Sequence, residues 1–239
     1  MENITGSDLS EQLIVGPNNS IEMRLRKLIQ YLAVQAPGAG FDQYLAGDDI
    51  QWDKLIVAGF SQGGGNAGIL SMKYALSRSI FFSKGWSPIY DVDESLICTA
   101  DQECMDEGWD YCSTFDSGED EGVCIQTYLS SYTYDTRLTP PDRSYLLIHE
   151  KEGAIKYSLK GAAAWGMDEC GELVTVDGQT DGDYGCSHIL GTQAEPSSAS
   201  GGDHDGGYHG SMGSDNSMAK DDTGLPVNQR AMMYMLLAE

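Results

Sequence analysis

Apolar side chains near the start of the chain recur at intervals of three and four residues. They run from Ile21 to Leu32, with Asn19 able to cap the helix and Glu22 placed as in a capping box. Pro37 follows and cannot continue the helix. The pattern predicts an amphipathic helix that ends before Pro37. Residues 1–12 are polar and predict a loop.

Short apolar runs alternate with helical patterns through the rest of the chain. The predicted strands are Lys54–Gly59, Ser79–Ser83 and Tyr145–His149, and the predicted helices are Gln62–Leu76, Tyr157–Trp165 and Asn228–Ala238. The first run is typical of a strand buried on both faces of a parallel sheet. Residues 166–224 are rich in Gly, Asp and Ser and predict mostly loop. The alternation predicts a three-layer α/β fold with a mostly parallel sheet, in one domain over residues 1–239.

Composition narrows the classes of function. The 239 residues include 14 Lys and Arg against 37 Asp and Glu, so the formal net charge is −23. This balance argues against binding nucleic acids or anionic membranes, because phosphate groups are bound through Lys and Arg. No stretch has the ~18 apolar residues of a membrane helix. The apolar fraction of 41% is sufficient for a core, and the oligomeric state is left open.

Six cysteines mark an insert within the predicted domain. Four of them, Cys98, Cys104, Cys112 and Cys124, lie in an acidic segment, residues 91–128. Residues 91–124 carry twelve acidic side chains and no Lys or Arg. The spacing C-x5-C-x7-C-x11-C lacks the close pairs of a zinc site. We therefore predict a polar, loop-like insert with two internal disulfides, which can pair in three ways.

The remaining cysteines, Cys170 and Cys186, are predicted to form a third disulfide. Disulfides are typical of oxidising compartments, so the sequence predicts a secreted or periplasmic protein. Residues 1–20 lack the basic and apolar regions of a signal peptide, which indicates another export route or a chain that begins downstream of its natural start. Two Asp-rich loops, 177–183 and 203–205, offer oxygen ligands for Ca²⁺, but neither follows the EF-hand pattern, and a solvated loop is the simpler interpretation.

The candidate chemistry begins at Gly59–Gly63, which matches G-x-S-x-G. A predicted strand enters this motif and a helix rich in small residues leaves it, as in a nucleophile elbow. Such an elbow needs glycines because the turn is tight and the helix packs closely on the strand. It would expose Ser61 as a nucleophile and direct the backbone N–H of Gln62 at an oxyanion. The alternative is an ordinary serine in a glycine-rich turn.

A serine nucleophile needs a base, and the chain has four histidines. With a nucleophile elbow of this type the expected chain order is serine, acid and then histidine. His149 lies too early, within a predicted strand. His188, His204 and His209 lie in the late loops, which fits this order. Their order along the chain does not separate these three. His188 precedes core-like residues, and His204 stands between two aspartates that would favour its cation. His209, between Tyr208 and Gly210, is the preferred base, with the other two as alternatives.

The histidine base needs a carboxylate that orients it. We expect this acidic residue just after the Tyr145–His149 strand. Glu150 and Glu152 both follow it, and Glu152 lies one step further into the loop, where it can turn toward the site. The alternative is a solvated glutamate.

These motifs together resemble a bacterial branch of the α/β-hydrolase superfamily whose elbow reads Gly-His-Ser-Gln-Gly-Gly-Gly-His-Ala. The resemblance spans most of residues 19–239 except the cysteine insert, and the elbow is its one specific motif. It implies Ser61 as nucleophile, Glu152 as acid and His209 as base. Phe60 and Asn66 replace histidines of the family pattern. The matching segments are Asn19–Ile21, Arg24-Leu25, Trp52-Asp53, Val57–Ala67, Thr139-Pro140, His149–Glu152 and Tyr208–Gly210.

The same resemblance implies several strands before the elbow, and a loop among them that supplies a second oxyanion donor. Only 60 residues precede Ser61. We therefore expect a chain truncated at its N-terminus that lacks the first strands and part of the oxyanion hole. The predicted function is a secreted serine hydrolase acting on small-molecule or lipid-like carboxylic esters, without cofactor or metal. The alternative is a catalytically silent, acidic extracellular binding protein on the same scaffold.

Overall fold

The structure is a computed structural model that describes residues 2–7, 15–83, 89–107, 111–113, 122–128, 137–153, 155–169, 171–179, 182, 184–197 and 207–237. The chain divides into two compact units. The first comprises Met1–Trp86 together with Arg137–Glu239, and the second comprises Ser87–Thr136. The second unit contains the predicted insert, residues 91–128, and extends beyond it on both sides.

The elements follow one another in this order within the described residues. The α-helices are α1 (Glu2–Thr5), α2 (Ile21–Gln35), α3 (Gln62–Lys73), α4 (Asp101–Asp106), α5 (Ile155–Trp165) and α6 (Gln229–Leu237). The strands are β1 (Leu45–Ala46), β2 (Asp49–Ile50), β3 (Ile56–Phe60), β4 (Arg78–Phe82), β5 (Ile89–Cys98), β6 (Tyr111–Ser113), β7 (Gly122–Tyr128), β8 (Ser144–His149), β9 (Val174–Thr175) and β10 (Ile189–Thr192).

A parallel sheet forms the centre of the first unit. Its strand order is β3-β4-β8-β10-β9, and each neighbouring pair is parallel. This confirms the α/β class and the predicted parallel sheet. Strands β9 and β10 arise from residues 166–224, where the prediction of mostly loop missed them because each is only a few residues long.

Helices cover both faces of this sheet, in three layers. On one face, Ile80, Leu147 and Leu190 share a buried cluster with Met235 of α6. On the other face, Phe81 packs edge-on against Trp165 of α5, with their ring centroids 6.0 Å apart. This arrangement follows from strand geometry, because adjacent residues of a strand point to opposite faces.

The N-terminal segment departs from the prediction in two ways. Residues 1–12 were expected to form a loop, yet α1 is helical and its Ile4 is fully buried against Leu70 and Leu76. The cap of α2 is Ser20, whose hydroxyl accepts a hydrogen bond from the Met23 backbone N–H at 3.2 Å. The cap therefore lies one residue after the predicted Asn19, because the third helical N–H reaches Ser20.

Strand β3 was predicted to be buried on both faces, and this was wrong. It lies at an edge of the described sheet, and the side chain of Ile56 is 42% exposed. An apolar run therefore indicates a strand but does not decide its place in the sheet.

The second unit contains an antiparallel sheet of order β5-β7-β6 with α4 beside it. The insert is therefore built of strands and a helix where a polar loop was expected. Cys98 is bonded to Cys112, and Cys104 to Cys124, which confirms two internal disulfides and selects one of the three pairings. In the first unit Cys186 is also disulfide-bonded, and its predicted partner Cys170 lies outside the described residues.

Among the helices of the described segments, none has both the length and the apolar character needed to cross a lipid bilayer. This agrees with the absence of a long apolar stretch in the sequence.

Candidate functional site

The carboxyl edge of the parallel sheet collects three of the predicted site residues. Ser61 follows β3 directly, Glu152 lies three residues after β8, and His209 belongs to the segment after β10. Because all strands of the sheet run in the same direction, the residues after them emerge at one edge. Side chains far apart in the sequence are thereby brought together.

Ser61 occupies a strained turn between β3 and α3. Its φ is 51° and its ψ is −118°, one of two described non-glycine residues at positive φ. Its N–H donates to the Phe82 carbonyl at 3.0 Å, and its own carbonyl accepts from Gly65 N–H at 3.2 Å. Ser61 thus ends the sheet ladder and begins the helix within one residue. Such a backbone costs about 1–3 kcal/mol and occurs mainly at functional sites.

Of the two glycines of the G-x-S-x-G motif, only Gly59 lies where a side chain would not fit. A Cβ on Gly59 would lie 2.1 Å from the Gly63 carbonyl oxygen, whereas a Cβ on Gly63 would meet nothing within 4 Å. The predicted close approach of helix and strand is therefore present at Gly59. Gly63 is not required by packing.

The N-terminus of α3 supplies hydrogen-bond donors next to Ser61. The first backbone bond of the helix runs from Gly65 to Ser61, so the N–H groups of Gln62, Gly63 and Gly64 precede the intrahelical ladder. These donors and the helix dipole favour negative charge at this end of α3. The backbone N–H of Gln62 is the first of these donors after Ser61.

Glu152 and His209 form a direct pair. The Nδ1 atom of His209 lies 2.6 Å from Oε1 of Glu152. The Glu152 side chain is 1% exposed and that of His209 is 28% exposed. A carboxylate at this distance favours a proton on Nδ1 of the imidazole. The other carboxylate oxygen, Oε2, is buried without a hydrogen-bond partner.

Phe60 connects this pair to Ser61. Its ring centroid lies 4.8 Å from that of His209, and Phe60 is the residue directly before Ser61. The ring also abuts Gly213, where an added Cβ would lie 2.3 Å from Cγ of Phe60. The ring of Phe60 therefore forms an apolar contact with His209 directly before the Ser61 turn.

Glu150, the alternative acid, has other partners. Its carboxylate accepts hydrogen bonds from Thr175 Oγ1 and from Gln193 Nε2, both at 2.6 Å. These groups lie at β9 and just after β10. Glu150 thus connects the end of β8 to β9 and to the residue after β10. Glu152 is the glutamate that contacts His209.

The alternative bases lie elsewhere. His188 precedes β10, and its Nδ1 lies 2.9 Å from the Ser144 carbonyl at the start of β8. It lines a cavity of about 750 Å³ with Arg78 and Tyr234, at the amino edge of the sheet and opposite to Ser61. This position excludes His188 as the base for Ser61. His204 lies outside the described residues.

Sequence reasoning missed two features of this edge. Ser83, directly after β4, has φ 52°, is fully buried, and its hydroxyl has no hydrogen-bond partner. His149 at the end of β8 stacks on Tyr208, with ring centroids 4.4 Å apart. Neither feature has a local sequence signal, because each depends on the neighbouring strand or loop.

The candidate metal ligands are engaged in other bonds where the structure describes them. The sulfurs of Cys98, Cys104 and Cys112 lie within 4.8 Å of one another, but each belongs to a disulfide. Asp177 accepts a hydrogen bond from Thr192 Oγ1 at 2.6 Å. Asp181, Asp183 and residues 203–205 lie outside the described residues.

Comparison of the chain with models of protein families, with curated proteins and with solved structures found no match.

Proposed function

We propose that this protein is a serine hydrolase of the α/β-hydrolase type that acts on carboxylic esters. The observation that carries the proposal is the strained Ser61 turn at the carboxyl edge of a parallel sheet, with the buried Glu152 and its partly exposed partner His209 at the same edge. A nucleophile, a base and a group that orients the base are the three parts that acyl transfer requires.

In this mechanism Ser61 Oγ attacks the ester carbonyl carbon and its proton passes to Nε2 of His209. Glu152 stabilises the imidazolium that forms, and the Gln62 N–H with the α3 N-terminus stabilises the oxyanion. The tetrahedral intermediate then expels the alcohol, which takes the proton from His209 and leaves an acyl group on Ser61. Water, deprotonated by His209, attacks the acyl carbonyl carbon of the acyl-enzyme. The bond to Ser61 Oγ then breaks, His209 returns its proton to Oγ, and the acid is released.

Small-molecule or lipid-like esters are the proposed substrates. The apolar ring of Phe60 beside His209 supports an uncharged acyl or alcohol group near the nucleophile. The net charge of −23 disfavours strongly anionic substrates such as nucleic acids. The mechanism needs no cofactor, because all proton transfers run through side chains of this chain. The disulfides support secretion or export to the periplasm.

The test is labelling with a fluorophosphonate probe, together with hydrolysis of p-nitrophenyl butyrate. Wild-type protein should label and turn over, and Ser61→Ala should abolish both. Ser77→Ala is the matched control, because Ser77 precedes β4 at the opposite edge of the sheet. It should label like wild type. Absence of labelling in folded wild-type protein would favour a silent binding protein on this scaffold, and labelling of Ser61→Ala would refute the assignment of the nucleophile.

A further inference from the structure

His149 is the last residue of β8 and is fully buried. Its Nδ1 accepts a hydrogen bond from the Lys151 backbone N–H at 3.1 Å, and its Nε2 lies 3.0 Å from the Ala194 carbonyl oxygen. Because a backbone N–H can only donate and a carbonyl can only accept, the ring is neutral with its proton on Nε2. Both ring nitrogens are therefore occupied, and His149 has no lone pair left to act as a base.

The same ring contacts the segment that carries His209. His149 stacks on Tyr208 with ring centroids 4.4 Å apart and an interplanar angle of 29°. Tyr208 is the residue directly before His209. The imidazole thus joins the turn after β8, the segment after β10, and the segment of the base.

Charged groups around Tyr208 support this connection. The Lys151 ammonium lies 5.4 Å from the Tyr208 ring centroid and forms an ion pair with Glu195. The Tyr208 hydroxyl donates to the Glu195 carboxylate at 3.3 Å. The hydrogen bond from Lys151 lowers the pKa of Glu195 and the same bond raises the pKa of Lys151, so both are charged at neutral pH.

The acid is attached to His149 as well. The Glu152 backbone N–H donates to the His149 carbonyl at 3.0 Å. His149 is thus connected to Glu152 through the turn after β8. It is connected to His209 through Tyr208, the preceding residue. Misplacing a catalytic group by about 1 Å can reduce the rate about 100-fold.

We infer that His149 is a positioning residue that holds Glu152 and His209 in register for the reaction. This inference rests on the proposed function, because it assigns His149 a role in that same site. The juxtaposition that carries it is one buried neutral imidazole bonded to both flanking segments and stacked on the neighbour of the base.

Three substitutions separate the contacts of His149. His149→Phe keeps the stacking on Tyr208 and removes both hydrogen bonds. His149→Asn keeps an acceptor for the Lys151 N–H, and His149→Gln keeps a donor for the Ala194 carbonyl. The matched control is His188→Phe, because His188 also stacks on a tyrosine, Tyr145, but at the opposite edge of the sheet.

The expected result is a fall in kcat of about 10- to 100-fold for His149→Phe with KM within about twofold of wild type. His149→Asn and His149→Gln should each recover part of the rate, and His188→Phe should leave it unchanged. The fluorophosphonate labelling rate should follow kcat. In proton NMR, the titration of His209 should shift in His149→Phe and not in His188→Phe.

Stability is measured alongside by urea unfolding. If His149→Phe does not fold, Tyr208→Leu removes the other contact of His149, the ring stacking, from a partly exposed position, and a fall in kcat of about 10- to 100-fold is again expected. Wild-type rates and an unshifted His209 titration in folded His149→Phe, or in Tyr208→Leu, would overturn the inference. Failure of wild type to label would instead overturn the proposed function, while the His209 titration still reports on the positioning.

Discussion

Replacing Glu152 by Gln changes the charge beside His209 while keeping nearly the same shape. The Glu152–His209 contact is 2.6 Å, and the Glu152 side chain is 1% exposed. In the proposed mechanism His209 becomes a cation in the transition state, so the carboxylate acts mainly there. We expect Glu152→Gln to lower kcat/KM strongly while the protein remains folded.

The size of the loss follows from the distance. Two unit charges 2.6 Å apart attract by about 6 kcal/mol at an effective dielectric constant of about 20. This is an upper limit, because the His209 side chain is 28% exposed and Gln retains a dipole. Each 1.36 kcal/mol corresponds to about a factor of ten in rate. We therefore expect kcat/KM to fall about 10³- to 10⁴-fold.

The effect on the free energy of unfolding should be small or have the opposite sign. One carboxylate oxygen of Glu152 is buried without a hydrogen-bond partner, and a buried charge with incomplete hydrogen bonding is costly. A neutral amide in the same place removes that cost. Unfolding by urea should show Glu152→Gln within about 1 kcal/mol of wild type, or more stable.

The assay is steady-state hydrolysis of p-nitrophenyl butyrate, with probe labelling as a second readout. Glu150→Gln is the matched control, because Glu150 lies two residues earlier and bonds Thr175 and Gln193 instead of His209. It should keep nearly full activity. Less than a tenfold loss in Glu152→Gln, or an equal loss in Glu150→Gln, would refute the reasoning.

Two further predictions concern the fold. Gly59→Ala places a Cβ 2.1 Å from the Gly63 carbonyl oxygen and should destabilise the protein by about 3 kcal/mol in urea unfolding. Gly63→Ala meets open space and should be neutral or stabilising by about 1 kcal/mol. Equal effects of the two substitutions would contradict the packing argument. Replacing Cys98 and Cys112 together by Ser removes a disulfide across 14 residues and should cost about 3 kcal/mol, while the unreduced, unfolded wild-type protein should titrate essentially no thiol. A titration of several thiols would refute the disulfide assignment.

Local patterns in the sequence predicted four of the helices and three of the strands, in the right order along the chain. These are α2, α3, α5 and α6 and β3, β4 and β8. The apolar run before Ser61 and the small residues after it predicted a strand, a turn and a helix, and the structure has β3 and α3 there. These patterns are legible because strand and helix periodicity, and the need for glycine at a tight turn, act over a few residues. The sequence also offered Ser61, Glu152 and His209 as candidates, and the parallel strands bring the segments that carry them to one edge of the sheet.

Only the tertiary structure separated the candidate histidines, selected the disulfide pairing and showed which N-terminal side chain is buried. His188 and His209 could not be separated by order, and they lie at opposite edges of the sheet because one precedes β10 and the other follows it. The pairing of Cys98 with Cys112 depends on which strands are neighbours. The burial of Ile4 depends on contacts with Leu70 and Leu76, about 70 residues away. Such choices depend on contacts between distant segments, whose energies no local pattern encodes, so they emerge only when the chain is folded.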